Sequence, residues 1–302
     1  MKRFYSFIIM GILMMNSSTL LAQQANFLCS YKAGNMEITM LSDSQQNGRA
    51  SILLGATPEM LQKAAPDGTF PNATSAFLVR ISDKTILVDT GLGTKLFDHL
   101  KTLGVEPSQI DAVLITHMHG DHFGGLLKDD KAAFPNATLY ISQMEYDCWC
   151  NPATINNLPE NRRSGAVNAQ KAVAPYRLQL FSPQVIGTQN TELFHGITAF
   201  AAYGHTPGHT IYLFESKGEK LLVWGDLTHA MAIQMPYPQV AVTYDSNPQE
   251  AVASRLKVLE FASKNNILIA GMHIAYPAMG YLSPNGAGGY LFTPITERKA
   301  PK

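Results

Sequence analysis

The chain has few cysteines, no net charge and no clear membrane span, and each shortage narrows what it can be. Its three cysteines, Cys29, Cys148 and Cys150, are too few for a disulfide-built scaffold. An odd count leaves open one bridge with a free thiol, or three unpaired buried thiols, and a Cys148 to Cys150 bridge would close a strained short loop. Lys plus Arg equals Asp plus Glu at 23 each, so no broad field draws the chain to nucleic acid or an anionic surface. The apolar stretch within residues 1–22 falls short of the roughly 20 residues of a spanning helix, and Asn16-Ser17-Ser18-Thr19 interrupts it. Lys2-Arg3 precedes that stretch and Leu20-Leu21-Ala22 closes it before Gln23, which reads as a cleaved secretory signal. Residues 23–302 then form the mature chain, exported to the periplasm or the medium, with no stable membrane insertion. Cys29 follows Leu28 and is poorly placed for a lipid attachment.

What remains is rich enough to fold as one unit. At 302 residues and 46% hydrophobic content the chain can bury a substantial core, and a single large domain accounts for it. Its chemistry is concentrated in Thr116-His117-Met118-His119-Gly120-Asp121-His122, directly after the apolar run Ala112-Val113-Leu114-Ile115. That run reads as a buried strand, and open α/β sheets place ligands at the carboxyl ends of their strands. His117 and His119 are two apart and share a face in an extended backbone, so both can ligate one cation. Asp121 and His122 follow the turn at Gly120 and can face a second cation. Four metal-type ligands in six positions are too many for a merely polar loop.

The His-x-His-x-Asp-His pattern resembles the signature of the metallo-β-lactamase fold superfamily, and the likeness continues through residues 36–295. Gly204-His205-Thr206-Pro207-Gly208-His209 resembles the next motif, Trp224-Gly225-Asp226 the following one, and Gly271-Met272-His273 the last. The resemblance implies a layered α/β fold, a four-layer αββα sandwich carrying the metal site on its edge. It implies that His117, His119 and His209 hold one cation, that Asp121, His122 and His273 hold the other, and that Asp226 bridges them. His205 is then a loop-bracing histidine outside the ligand set. Asp89, in Asp89-Thr90-Gly91, supports the metal loop from behind, since a carboxylate on a ligating imidazole fixes its orientation and raises its basicity. Two divalent cations follow as cofactors, zinc by default, although imidazole and carboxylate also accept Mn, Co or Fe.

Such a pair implies a metal-dependent hydrolase in which a shared hydroxide attacks an ester, lactone or phosphotriester, with Asp226 holding the cations apart and Asp121 orienting the nucleophile or taking its proton. Branches of the superfamily can be weighed against the residues. Flavodiiron enzymes carry glutamate where His119 stands, the glyoxalase II thioesterases need more than the 29 residues after His273, and typical β-lactamases lack an aspartate at Asp226. The nuclease branch fits poorly with the charge balance. Gly225-Asp226-Leu227-Thr228-His229-Ala230, the stretch to Pro238, Tyr244-Asp245-Ser246 and His273-Ile274-Ala275-Tyr276-Pro277 look most like the methyl parathion hydrolase-like and lactonase group. An acyl-homoserine lactonase is the specific alternative, with β-lactamase or thioesterase beyond it. From another class, a mononuclear iron sulfur dioxygenase would leave Asp121 and His273 without a metal. The partner is a small molecule, and a homodimer is compatible with the sequence.

Around the motifs the chain reads as alternating strands and helices. Residues 36–41 form a first strand, and 43–73 a long excursion whose tip, residues 65–70, is a surface turn or an overhang of the site. Residues 76–81 and 85–89 make a hairpin, 95–103 a helix containing His99, and 138–142 a strand followed by a short helix to Trp149. Trp149 is a candidate pocket wall or core residue, and His229 a candidate pocket residue or turn cap. A helix is expected at 162–173. Asn247-Pro248-Gln249-Glu250 has the cap and first-turn signals of a helix start, with Val252, Leu256 and Leu259 as its buried face.

Overall fold

The computed structural model describes residues 27–156 and 158–295; the secretory signal expected at residues 1–22 lies outside them. Two sheets carry the fold. The first orders its strands Leu28–Ala33, Met36–Arg49, Thr69–Ile81, Lys84–Val88, Ala112–Leu114, Thr138–Ser142, Arg177–Phe181. The second runs Gln184–Val185, Ile197–Ala201, Thr210–Ser216, Glu219–Val223, Leu268–Ala270, Met279–Pro284, Tyr290–Pro294. Alternation along the strands explains the layering. Phe77, Val79, Ile86, Val88, Ala112 and Leu114 point into the core shared with the second sheet. Their neighbours Leu78, Leu87 and Val113 point the other way, onto Leu96 and Leu100 of helix Leu96–Thr102 and Ala166, Ala169 and Val173 of helix Glu160–Val173. Helix Pro248–Lys264 packs Val258, Leu259 and Ala262 into the core of the second sheet, completing an αββα sandwich.

Two expectations need correction. The excursion after the first strand begins and ends as strand around a short helix, Pro58–Ala64: Met36–Arg49 pairs antiparallel with Thr69–Ile81 out to Arg49 opposite Thr69, with one bulge between Ser42 and Ser44. Its Gly, Asn and Gln content hid a projecting hairpin in which Gln46, Asn47, Arg49 and Pro71 are exposed while Phe70 and Ala73 are buried. At its far end residues 66–68 form the exposed surface turn expected there, anchored on both sides by Ala65 and Phe70, which are buried with Ala230, Ile233 and Val240. The second correction concerns helix Pro248–Lys264, where Asn247 does cap Glu250 N–H. Its buried face is Ala251, Arg255, Val258, Leu259 and Ala262, whereas Leu256 is 43% exposed. A charged residue took an inward position because Arg255 finds three carbonyls there: Nε donates to Leu227 and Nη1 to Pro238 and Val240.

The ligand motifs all sit where strands end. The loop at residues 116–122 leaves Ala112–Leu114, Asp226 follows Glu219–Val223, and His273 follows Leu268–Ala270, the last two strands being parallel neighbours. Thr210 N–H donates to Thr116 O at 2.9 Å and Tyr212 Oη to Ile115 O at 2.6 Å, which ties the two sheets together beside the site.

Candidate metal centre

Five imidazoles converge on one carboxylate. His117 Nε2, His119 Nδ1 and His205 Nε2 form one group, with His119 Nδ1 at 3.1 Å from each of the other two. Asp226 Oδ2 lies 3.5 Å from His117 and 3.2 Å from His205. Asp121, His122 and His273 form a second group. There Asp226 Oδ1 approaches His122 Nε2 at 3.1 Å and Oδ2 approaches His273 Nε2 at 3.1 Å, so Asp226 stands between the groups.

The rings are oriented from outside. His117 Nδ1–H donates to Thr116 Oγ1, which itself donates to Asp89, and His122 Nδ1–H donates to Asp89 at 2.7 Å. His273 Nδ1–H donates to Ala73 O at 2.7 Å and His205 Nδ1–H to Asp245 at 3.0 Å. Each outer nitrogen is the donor, so each inner nitrogen keeps a lone pair aimed inward, the tautomer that metal ligation requires. Asp89 earns its place by strain as well: it holds a left-handed φ of 57° while accepting from Thr116 N, Thr116 Oγ1 and His122.

His122 Nε2 and Asp226 Oδ1 are fully buried and have no hydrogen-bond partner except each other, at 3.1 Å. A buried imidazole nitrogen and a buried carboxylate oxygen left this way fit cations, which accept what no donor satisfies. Burial pushes the Asp226 carboxyl up, but His122, His273, His117 and His229 around it outweigh that and hold it well below the usual range. Burial lowers His273, yet Asp226 and Asp121 raise it to about 9, and His122 is likewise raised by Asp226, Asp121 and Asp89. A proton on the inner nitrogen of either ring would occupy the position of a cation, so cation binding and proton release are coupled.

One ligand expectation is overturned. His209 is buried in the same loop, but its Nδ1–H donates to Ala202 O and its Nε2 accepts the Asp226 N–H, both at 3.0 Å. No lone pair remains for a metal, and burial holds its pKa down at about 3. His205 stands in the group that could hold a cation instead, beside His117, His119 and Asp226. His209 acts as a strut that fixes the Asp226 backbone, and a Cβ on Gly225, whose φ is 56°, would stand 2.6 Å from His209 Nε2.

Three other positions settle differently. Trp149 is buried and meets the His119 ring edge-on at 5.5 Å, so it backs a ligand rather than lining the open cavity. His229 does face the cavity: its Nε2 is 3.0 Å from Asp226 Oδ2 and its ring stacks on His273 at 4.8 Å. His99 is structural, with Nε2 donating to Ser42 O at 2.9 Å. Cys150 is buried beside Trp149 in sequence, and burial pushes its thiol up to about 12, away from nucleophilic use.

Sequence reasoning missed Glu145 and gave no role to Asp245. Glu145 is buried, with Oε1 accepting Met118 N–H and Oε2 accepting Thr206 Oγ1–H and Gly208 N–H, so one carboxylate fastens both ligand loops. Its only signal is an acidic residue three positions after Ser142, which caps its helix. A Glu145→Ala variant is expected to lose about 3 kcal/mol or more, since it leaves three donors unpaired, and to bind metal about 10- to 100-fold more weakly. Denaturant titration and a competitive chelator assay read the two effects.

These ligands open onto a cavity of about 720 Å³, reached by Asp121, His229, His273 and the hairpin at residues 46–52. The metallo-beta-lactamase superfamily model matches residues 69–273, and the chain belongs to that superfamily. Within it, the solved hydrolase AbOPH is 30% identical, with a TM-score of 0.79, covering 90% of this chain and 98% of its own. The dizinc quorum-quenching lactonase AidC, solved with N-hexnoyl-L-homoserine, is 26% identical with a TM-score of 0.79, covering 91% and 100%. Curated relatives match over shorter pieces: the anti-Pycsar protein Apyc1 of Paenibacillus sp. (strain J14) is 51% identical over 49 residues, 16% of this chain and 19% of that protein. The protein is a superfamily hydrolase by its relatives and carries the His and Asp cluster of a metal centre.

Proposed function

We propose that the protein is a dinuclear metal-dependent hydrolase of an ester, lactone or phosphotriester. The observation that carries the reading is the pair of ligand groups sharing Asp226, with His122 Nε2 and Asp226 Oδ1 left without other partners. The likeness to AidC supports two zinc ions and a lactone substrate. When bound, the cations polarise a carbonyl or phosphoryl oxygen and bring the pKa of bound water towards about 7. The chain's own residues supply the rest. Asp121 is 31% exposed at the cavity floor and is the carboxylate placed to orient the attacking water and take its proton. His229 and Tyr244, with ring centroids 5.7 Å apart, stand over the ligands where a substrate acyl group would rest. The second group of Asp121, His122 and His273 favours two cations over a mononuclear oxygenase.

A pH-stat comparison of an acyl-homoserine lactone with an aryl dialkyl phosphotriester, with and without chelator, tests this. Chelator-sensitive acid release from either substrate is the expected result. Chelator-resistant turnover, or about one metal per chain in the fully active enzyme, would sink it.

A further inference from the structure

We propose that the cavity is built for a substrate carrying an anionic group, a carboxylate or a phosphate, in addition to the bond that is cleaved. The inference deepens the hydrolase reading and rests on it for the scissile bond. Two guanidinium groups face the cavity: Arg49 from the end of strand Met36–Arg49 and Arg162 from the first turn of helix Glu160–Val173. Neither is in an ion pair among the described residues, where the Arg and Lys bridges are made by Arg80, Lys84, Lys220 and Lys264. Arg162 is held by Nη1 donating to Ser246 Oγ at 2.5 Å, which positions the fork without neutralising it.

The acids lining the cavity are Asp121 and Asp226, and both belong to the ligand cluster. The outer wall is therefore positive, although the chain as a whole is neutral. Its other lining residues include Gln46, Asn47, Asn161 and Thr243, with Ile52 and Tyr244 as the larger apolar side chains. An oxyanion finds planar donors there that match it bidentately. In the reaction water adds to the acyl carbon, the acyl C–O bond breaks, and the alcohol leaves with a proton from that water. The guanidinium pair acts on the distant anion alone.

The experiment compares p-nitrophenyl acetate with mono-p-nitrophenyl glutarate on the metal-loaded enzyme and on Arg49→Gln/Arg162→Gln. Calorimetric titration of both proteins with glutarate and with inorganic phosphate runs beside it. The wild type is expected to prefer the anionic ester in kcat/KM, and the double variant to lose about 10- to 100-fold of that preference and of anion affinity, as expected for charge-assisted hydrogen bonds. Whichever of glutarate and phosphate binds more tightly names the anion. Turnover with no preference, unchanged in the variant, would overturn the anion site and leave the hydrolase standing. Anion binding weakened in the variant, with neither ester cleaved, would keep the site and sink the hydrolase reading. Equal anion affinity in both proteins would overturn the inference.

Discussion

An Asp226→Ala variant is expected to lose activity by about a thousandfold or more, at least the loss seen when one preorganised charge is removed from a transition state. It is also expected to bind fewer than two cations. The carboxylate reaches both ligand groups, with Oδ2 at 3.2 Å from His205 and Oδ1 at 3.1 Å from His122, so when it goes the first group loses its anion and the second keeps only Asp121. The histidines around it would then share a single carboxylate, Asp121, at 3.7 Å from His122 and 3.5 Å from His273. The backbone N–H of residue 226 still donates to His209, so the loop retains its anchor and loss of activity is not loss of fold. Elemental analysis after dialysis, initial rates and a thermal melt separate these effects. Two cations and full activity in the variant would end the dinuclear assignment.

The second large effect separates two histidines of one motif. His205→Ala is expected to bring the metal content down from two towards one per chain and to abolish turnover, because it removes a nitrogen 3.1 Å from His119 Nδ1. His209→Ala is expected to keep its ligands yet lose about 2 kcal/mol or more of stability, leaving Ala202 O and the Asp226 N–H buried without a partner. The reverse pattern would make His209 the ligand. Acid gives a second reading. Burial holds His209 at about 3, below the ordinary imidazole value of 6.5, so between those values the unfolded chain binds the proton first and this residue's contribution to stability rises with pH. The stability gap between wild type and His209→Gln, measured by denaturant midpoint, is expected to narrow as pH falls from neutral towards about 4.

Much of the fold was legible because it depends on local patterning. The apolar period of Phe77 to Ile81, the run at residues 112–115 and the Asn247-Pro248 start of the long helix each specify an element without help from distant residues. The projecting hairpin was not legible, since exposed polar positions such as Gln46, Asn47 and Arg49 interrupt its apolar alternation. Arg255 was hidden for the opposite reason: its inward position depends on three carbonyls supplied by residues 227–240.

By itself the sequence determined which residues are candidate ligands: His117, His119, Asp121 and His122 by their spacing on one loop, and Asp226 and His273 by the family motifs that carry them. Tertiary structure alone decided which histidine of Gly204-His205-Thr206-Pro207-Gly208-His209 keeps a free lone pair. The two rings are chemically identical along the chain. His209 gives both nitrogens to Ala202 and Asp226, while His205 is turned inward by Asp245, 40 residues further on. A hydrogen bond across that distance exists only once the sheets are packed, and it is the packing that makes one imidazole a strut and leaves the other a candidate ligand.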